Sequence, residues 1–164
     1  MALDDDIAKI AEQERALVFE RFDEIVAQAI GSAIWEYGRA NGLTLVVDIR
    51  FWDRTLFYAA LPGTTADNAE WVRRKSNSVK VLRKSTYRLV LEKTFEGRAF
   101  PAERALDSKD YVLAGGSFPV QVQGIGVVGS ITVSGLAERD DHGIVVAAIA
   151  RYLGLDADGL ALSS

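Results

Sequence analysis

Two pairs of extended segments stand far apart in this chain, with helical stretches between them, and that order constrains the fold more than any other feature. Residues 43–51 are rich in Leu, Val and Ile and read as a strand buried on both faces, or nearly so. Asp53 and Arg54 form a turn, residues 55–61 alternate as a second strand, and Pro62-Gly63 ends the hairpin. In the C-terminal third, residues 120–123 alternate as a strand, 124–126 turn, and 127–134 continue as the next strand with Gly129 inside it. A glycine within a strand marks a bulge or the close approach of another backbone.

The rest of the chain reads as helix. Residues 4–14 place Ile7, Ile10 and Ala11 on one side, with acidic residues in the first turn, where they suit the helix dipole. Leu17, Val18 and Phe19 make a short extended segment. Asp23 caps a helix that runs to about residue 40, with Ile25, Val26, Ala29, Ile30, Ala33, Ile34 and Tyr37 on one apolar face and Asn41-Gly42 as its stop. Thr65 or Asp67 caps a helix over about 68–82, and a further helix covers about 85–95. Residues 96–106 are polar and irregular, and residues 107–110 open one more helical turn. Asp140 or Asp141 begins a last helix that stops at Gly154, and the tail 155–164 frays or joins an oligomer contact.

The order α-α-β-β-α-α-β-β-α does not make a parallel doubly wound sheet. It predicts an α+β domain with one antiparallel sheet and helices packed on it. At 164 residues, 49% of them hydrophobic, the chain fits one domain over 1–164, with its N-terminal helices at about 5–41. The net charge of −4 gives no basic face for nucleic acid or for a membrane surface. With no cysteine there is no disulfide, no thiolate nucleophile and no Cys-built zinc site. Asp4, Asp5 and Asp6 at the start do not read as a secretory signal, so a cytoplasmic protein is expected.

Three strings carry a family likeness. LPGTTADNAEWVRRKSNSV at 61–79, GGSFPVQVQGIGVVGSITVSGL at 115–136 and Asp141-His142 occur in this order, and Val47-Asp48-Ile49-Arg50 precedes them. Together they resemble the UPF-type branch of the haem-degrading-domain (GlcG/HbpS-like) family over about residues 16–153. The resemblance implies a profilin-like, three-layer α/β/α fold with a single antiparallel sheet. It also implies self-assembly into dimers or larger rings, and haem binding or degradation. One position departs from the pattern. The branch usually has histidine before the glycine pair, and this chain has Ala114.

Candidate site residues fall in three places. Gly115, Gly116 and Ser117 make either a loop whose N–H groups hold an anionic ligand or a turn that uses positive φ before Pro119. The G-x-G-x-x-G at 124–129 should enter a strand rather than a helix, so it is not a dinucleotide motif. Arg73, Arg74 and Lys75 fan around one helix at about 100° each. One of them can hold a carboxylate or propionate, or all three form a solvated face. Trp71 beside them reads as core or interface. Asp141 caps a helix, and His142, the chain's single histidine, is either structural or a haem ligand or proton carrier. No paired carboxylates, Ser-His-Asp set or H-E-x-x-H motif is evident. Three readings follow: a small-molecule-binding module for haem or a small anionic metabolite, a haem-degrading enzyme using His142, and an oligomeric scaffold without chemistry.

Overall fold

The computed structural model of the chain describes residues 2–93 and 97–164. Its elements are α1 (Ala2–Ala16), β1 (Val18–Phe19), α2 (Glu24–Ala40), β2 (Val46–Phe51), β3 (Arg54–Ala60), α3 (Ala66–Leu82), α4 (Thr86–Glu92), β4 (Ser117–Val122), β5 (Gly126–Ser134), α5 (Glu138–Tyr152) and α6 (Ala157–Leu160). The five strands form one sheet in the order β1-β4-β5-β2-β3. The four long strands are antiparallel to their neighbours, and only the two-residue β1 joins parallel, beside β4. This is the α+β architecture that the strand order predicts.

Strand alternation divides the sheet into two unlike faces. Val47, Ile49, Phe118, Val120, Ile131 and Val133 pack under α2 and α5 in the main core. Each such side chain contributes about 2 kcal/mol by leaving water. The opposite face is polar and lies under α3. There Asp48, Ser117, Ser130 and Thr132 are buried, and each has a partner, as buried polar groups require. Asp48 accepts two 2.7 Å bonds from Arg50, Ser76 meets Ser130 at 2.7 Å, and Ser117 meets Thr132 at 2.8 Å. Helices thus cover both faces of the sheet.

Both readings of the strand glycine apply at Gly129. The register between β4 and β5 shifts beside it, between Val120 and Gln121. A Cβ there would lie 2.0 Å from the carbonyl oxygen of Arg50.

Several boundaries differ from the sequence reading. β4 starts at Ser117 because the glycine loop leads straight into the sheet. α4 ends at Glu92, and residues 94–96, where its expected end falls, lie outside the described residues. Residues 107–110 form a hydrogen-bonded turn, while a single 3-10 turn occupies Ala102–Arg104. The last helix opens at Glu138, so Asp141 is not its cap. The tail is ordered: α6 packs on α5 and α1, Leu160 is buried, and the Gln13 side-chain amide donates to the Leu160 carbonyl at 2.8 Å. The apolar face of α2 also divides. Val26, Ile30 and Ile34 enter the core, whereas Ile25, Ala29, Ala33 and Tyr37 are exposed.

Candidate functional site

The polar side of α3 and the start of α5 enclose a cleft of about 310 Å³ at one end of the sheet. α3 begins cleanly because Thr65 caps it reciprocally. The Thr65 hydroxyl accepts from the Asp67 N–H, and the Asn68 side chain accepts from the Thr65 N–H at 2.9 Å. From that start, Asp67, Asn68, Trp71 and Lys75 line one wall, at the three- and four-residue spacings that share a helix face. Gly115, Gly135, Glu138 and Asp141 form the other wall, and Arg98 also lines the cleft.

Lys75 is 3% exposed, a buried amine on the wall of the cleft. Its ammonium donates to the Val133 carbonyl at 3.1 Å and to Asp141 Oδ2 at 3.4 Å. The other oxygen of Asp141 accepts from the Leu136 N–H at 3.0 Å, which folds the β5–α5 turn around the carboxyl. Burial pushes Asp141 up to about 7, against the pull of the Lys75 charge. Burial pushes Lys75 down, opposed by Asp141. Desolvation therefore drives both partners toward their neutral forms.

The Gly115 N–H is already occupied. It donates to Glu138 Oε1 at 2.9 Å, and Arg98 donates to the same oxygen at 2.5 Å. Burial pushes Glu138 up, but the Arg98 and Gly115 bonds overcome it and hold the carboxyl below its ordinary range. Gly116 has φ 130°, and Lys75 and the Val133 carbonyl pack directly against it. The first glycine thus lines the cleft, and the second makes the positive-φ turn that packs against Lys75.

The predicted residues separate in space. Lys75 and Gly115 line the cleft together, with Gly116 directly beneath Lys75. Arg73 turns away and clamps the 107–110 turn, bonding Asp110 at 2.9 Å and the Lys109 carbonyl at 2.8 Å, with Glu70 as a further partner. Arg74 stacks over the Trp71 ring at 4.5 Å. Ser117 is buried in the polar face with Thr132, outside the cleft.

His142 is 1% exposed, packed against Tyr87 and Phe118, with Nε2 2.8 Å from Gln13 Oε1. Burial pushes it down to about 3, so the ring is neutral. It lines neither the cleft nor the larger apolar groove of about 910 Å³ between α2 and α5. The residues present do not fit a histidine-ligated haem, because the chain's single imidazole is sealed in the core. Among the described residues, no cluster of three His, Asp or Glu side chains is placed to hold a metal ion.

Trp71, which the sequence reads as core or interface, lines the cleft under Arg74, and Arg98, Glu138 and the pairing of Asp141 were not legible in the sequence. The signal for Glu138 and Asp141 was their acidic spacing just after Gly135, which reads equally well as ordinary first-turn acids. Arg98 stood in a polar stretch with no periodicity.

A family model described as haem degrading protein HbpS-like matches residues 22–150. A UPF0303 protein of Mesorhizobium japonicum is 56% identical over 164 residues, covering 100% of this chain and 98% of the relative. A UPF0303 protein of Brucella melitensis is 49% identical over 156 residues, covering 95% and 92%. Among solved structures, the Ybr137w protein superposes with a TM-score of 0.81 at 22% identity, covering 90% of this chain and 87% of that one. HbpS superposes with a TM-score of 0.64 at 21% identity, covering 82% and 91%. The PduOC–haem complex also gives 0.64 at 21% identity, covering 81% and 94%. These structural likenesses establish the fold, and the sequence relatives establish the branch: the chain belongs to the HbpS-like haem-degrading-domain family, among its UPF0303 members.

Proposed function

We propose that this protein is a small-molecule-binding module whose ligand site is the cleft between α3 and α5. The observation that carries the reading is the buried Lys75–Asp141 pair on the wall of an accessible cavity. Burying two charges costs several kcal/mol per ion before their attraction is counted, and perturbed pairs in clefts concentrate at functional sites. The cavity of about 310 Å³ lies at the small end of ligand pockets. Together with Asn68, Arg98 and Glu138 it suits a polar metabolite of a few carbons bearing a carboxylate or carbonyl. The family name and the haem-bound PduOC relative keep haem among the ligands to be tested, but the sealed position of His142 favours the small metabolite over porphyrin.

Thermal shift and calorimetric titration with small organic acids, and with haem, test the reading. A small acid should raise the melting temperature of the wild type, and Arg98→Ala or Trp71→Ala should remove that shift. If no acid binds, or both variants bind as the wild type does, the cleft is not the site.

A second reading, self-association, is favoured by the exposed apolar stripe of α2. Ile25 is 78% exposed and Tyr37 46%, with Ala29 and Ala33 between them on the same face. Light scattering on Ala33→Glu checks it: a smaller particle than the wild type supports a homo-oligomer through α2, and an unchanged particle rejects that face.

A further inference from the structure

We propose that Lys75 is a covalent attachment point, forming a reversible imine with a small aldehyde or ketone that enters the cleft. This rests on the cleft being a ligand site, and it adds the chemistry that the site performs.

The geometry carries the inference. The Lys75 nitrogen has two acceptors, the Val133 carbonyl at 3.1 Å and Asp141 at 3.4 Å, and the second bond is long. An ammonium has three donors, so this one is held in place without being saturated. Gly116 lets the backbone pack against the nitrogen, since a Cβ there would stand 2.8 Å from it, and Lys75 itself lines the cleft beside Gly115 and Asp141. The other ionisable groups on the cleft wall have partners of their own: Arg98 holds Glu138, Glu138 holds the Gly115 N–H, and Asp67 accepts from the Trp71 indole at 3.2 Å. Lys75 and Asp141 are left as the reactive pair, an amine and a carboxyl within contact of each other. Burial acts on both in the direction this chemistry needs, freeing the amine's lone pair and keeping a proton on the carboxyl.

The steps balance without an external oxidant or reductant. The neutral amine adds to the carbonyl carbon, and a proton moves from nitrogen to oxygen to give the carbinolamine. Protonated Asp141 then donates to the hydroxyl, which leaves as water while the nitrogen lone pair closes the C=N bond. The products are a cationic iminium on Lys75, one water, and an Asp141 carboxylate facing the new positive charge. Addition of water returns the amine and the carbonyl compound.

Reductive trapping tests it. The full chain is incubated at pH 6.5 with pyruvate or with acetaldehyde, reduced with cyanoborohydride, digested and mapped by mass spectrometry. Lys75 should carry the reduced adduct in about tenfold excess over Lys80, which is solvent-exposed on the same helix. Asp141→Asn should slow the labelling, and Lys75→Arg should abolish it at this position. Should Lys75 be too buried to replace without unfolding, the wild-type map alone decides. Equal labelling of Lys75 and Lys80, or none at Lys75, overturns the imine. In that event a melting-temperature shift with lactate, which has no carbonyl to condense, leaves the cleft standing as a non-covalent site. No shift with lactate or with pyruvate removes both.

Discussion

A Cβ placed on Gly116 would stand 2.8 Å from the ammonium of Lys75 and 2.4 Å from the carbonyl oxygen of Val133. The residue also has φ 130°, which side chains rarely adopt. Gly116→Ala is expected to cost roughly 2 to 4 kcal/mol from strain and overpacking together. Gly143 on α5 is the control, because a Cβ there meets nothing. Gly143→Ala should stabilise by up to about 1 kcal/mol through helix propensity. Urea denaturation of the two variants reads the contrast, and equal effects would refute the packing account.

Lys75 and Asp141 form one energetic unit, with side chains 4% and 2% exposed. Lys75→Met leaves the buried Asp141 carboxyl without its side-chain donor, and Asp141→Leu leaves the buried amine with only the Val133 carbonyl. Each single change is expected to cost about 1 to 3 kcal/mol. The double variant should cost less than their sum by about 1 kcal/mol or more. Additive losses in a chemical-denaturation cycle would show that the two side chains do not stabilise each other.

The pH dependence of Asp141 has a definite sign. Its carboxyl rises from the ordinary 3.8 to about 7 on folding, so between those values the folded state holds a proton that the unfolded state has lost. Stability then falls as pH rises through this window, by up to about 1.4 kcal/mol per pH unit. Measured against the isosteric Asp141→Asn, the wild type should lose relative stability from about pH 4 to pH 7 and level off above. The opposite slope would mean that Lys75, rather than burial, governs the carboxyl.

Arg73 fastens the 107–110 turn to α3 through Asp110 and the Lys109 carbonyl. Its side chain is one-third exposed, so Arg73→Ala is expected to cost only about 1 kcal/mol. Hydrogen exchange should nevertheless quicken at Tyr111 and Val112, whose N–H groups bond Asp107 and Ser78. Arg74→Ala should leave the turn unchanged, since Arg74 lies over Trp71. Equal protection in both variants would separate Arg73 from the turn.

These residues also mark how far the sequence could be read. A Leu-, Val- and Ile-rich run placed β2, whose Val47 and Ile49 face the core, and alternation placed β3 and the second half of β4. Asp23 and Thr65 announced their helices, because a cap acts within three residues of itself. The cleft depends on contacts that local patterns do not encode. Lys75 meets Asp141 across 66 positions and Arg98 meets Glu138 across 40. The run Arg73, Arg74, Lys75 showed only that three cations point three ways. Tertiary packing decided that the first would be a clamp, the second a stacked cover and the third a buried amine.

His142 illustrates the same limit and carries a separate test. The Gln13 amide donates to the Leu160 carbonyl, so its oxygen faces the histidine and must accept from the Nε2–H. The neutral ring thereby ties α5 to α1, and through Gln13 to α6. Its pKa falls from 6.5 to about 3 on folding, so the unfolded state binds the extra proton in that range. The histidine's stabilisation is lost as pH falls from about 6.5 toward 3, opposite in sign to Asp141, and each is measured against its own neutral variant. His142→Leu should cost about 1 to 3 kcal/mol at pH 7 by orphaning Gln13, and it should flatten this acid limb. A buried ring with its Nε2 engaged does not reach iron, so any Soret band that the protein gives with haem should keep its position in His142→Leu. A band that shifts or disappears in a folded variant would place the histidine on the iron and overturn the structural role assigned to it.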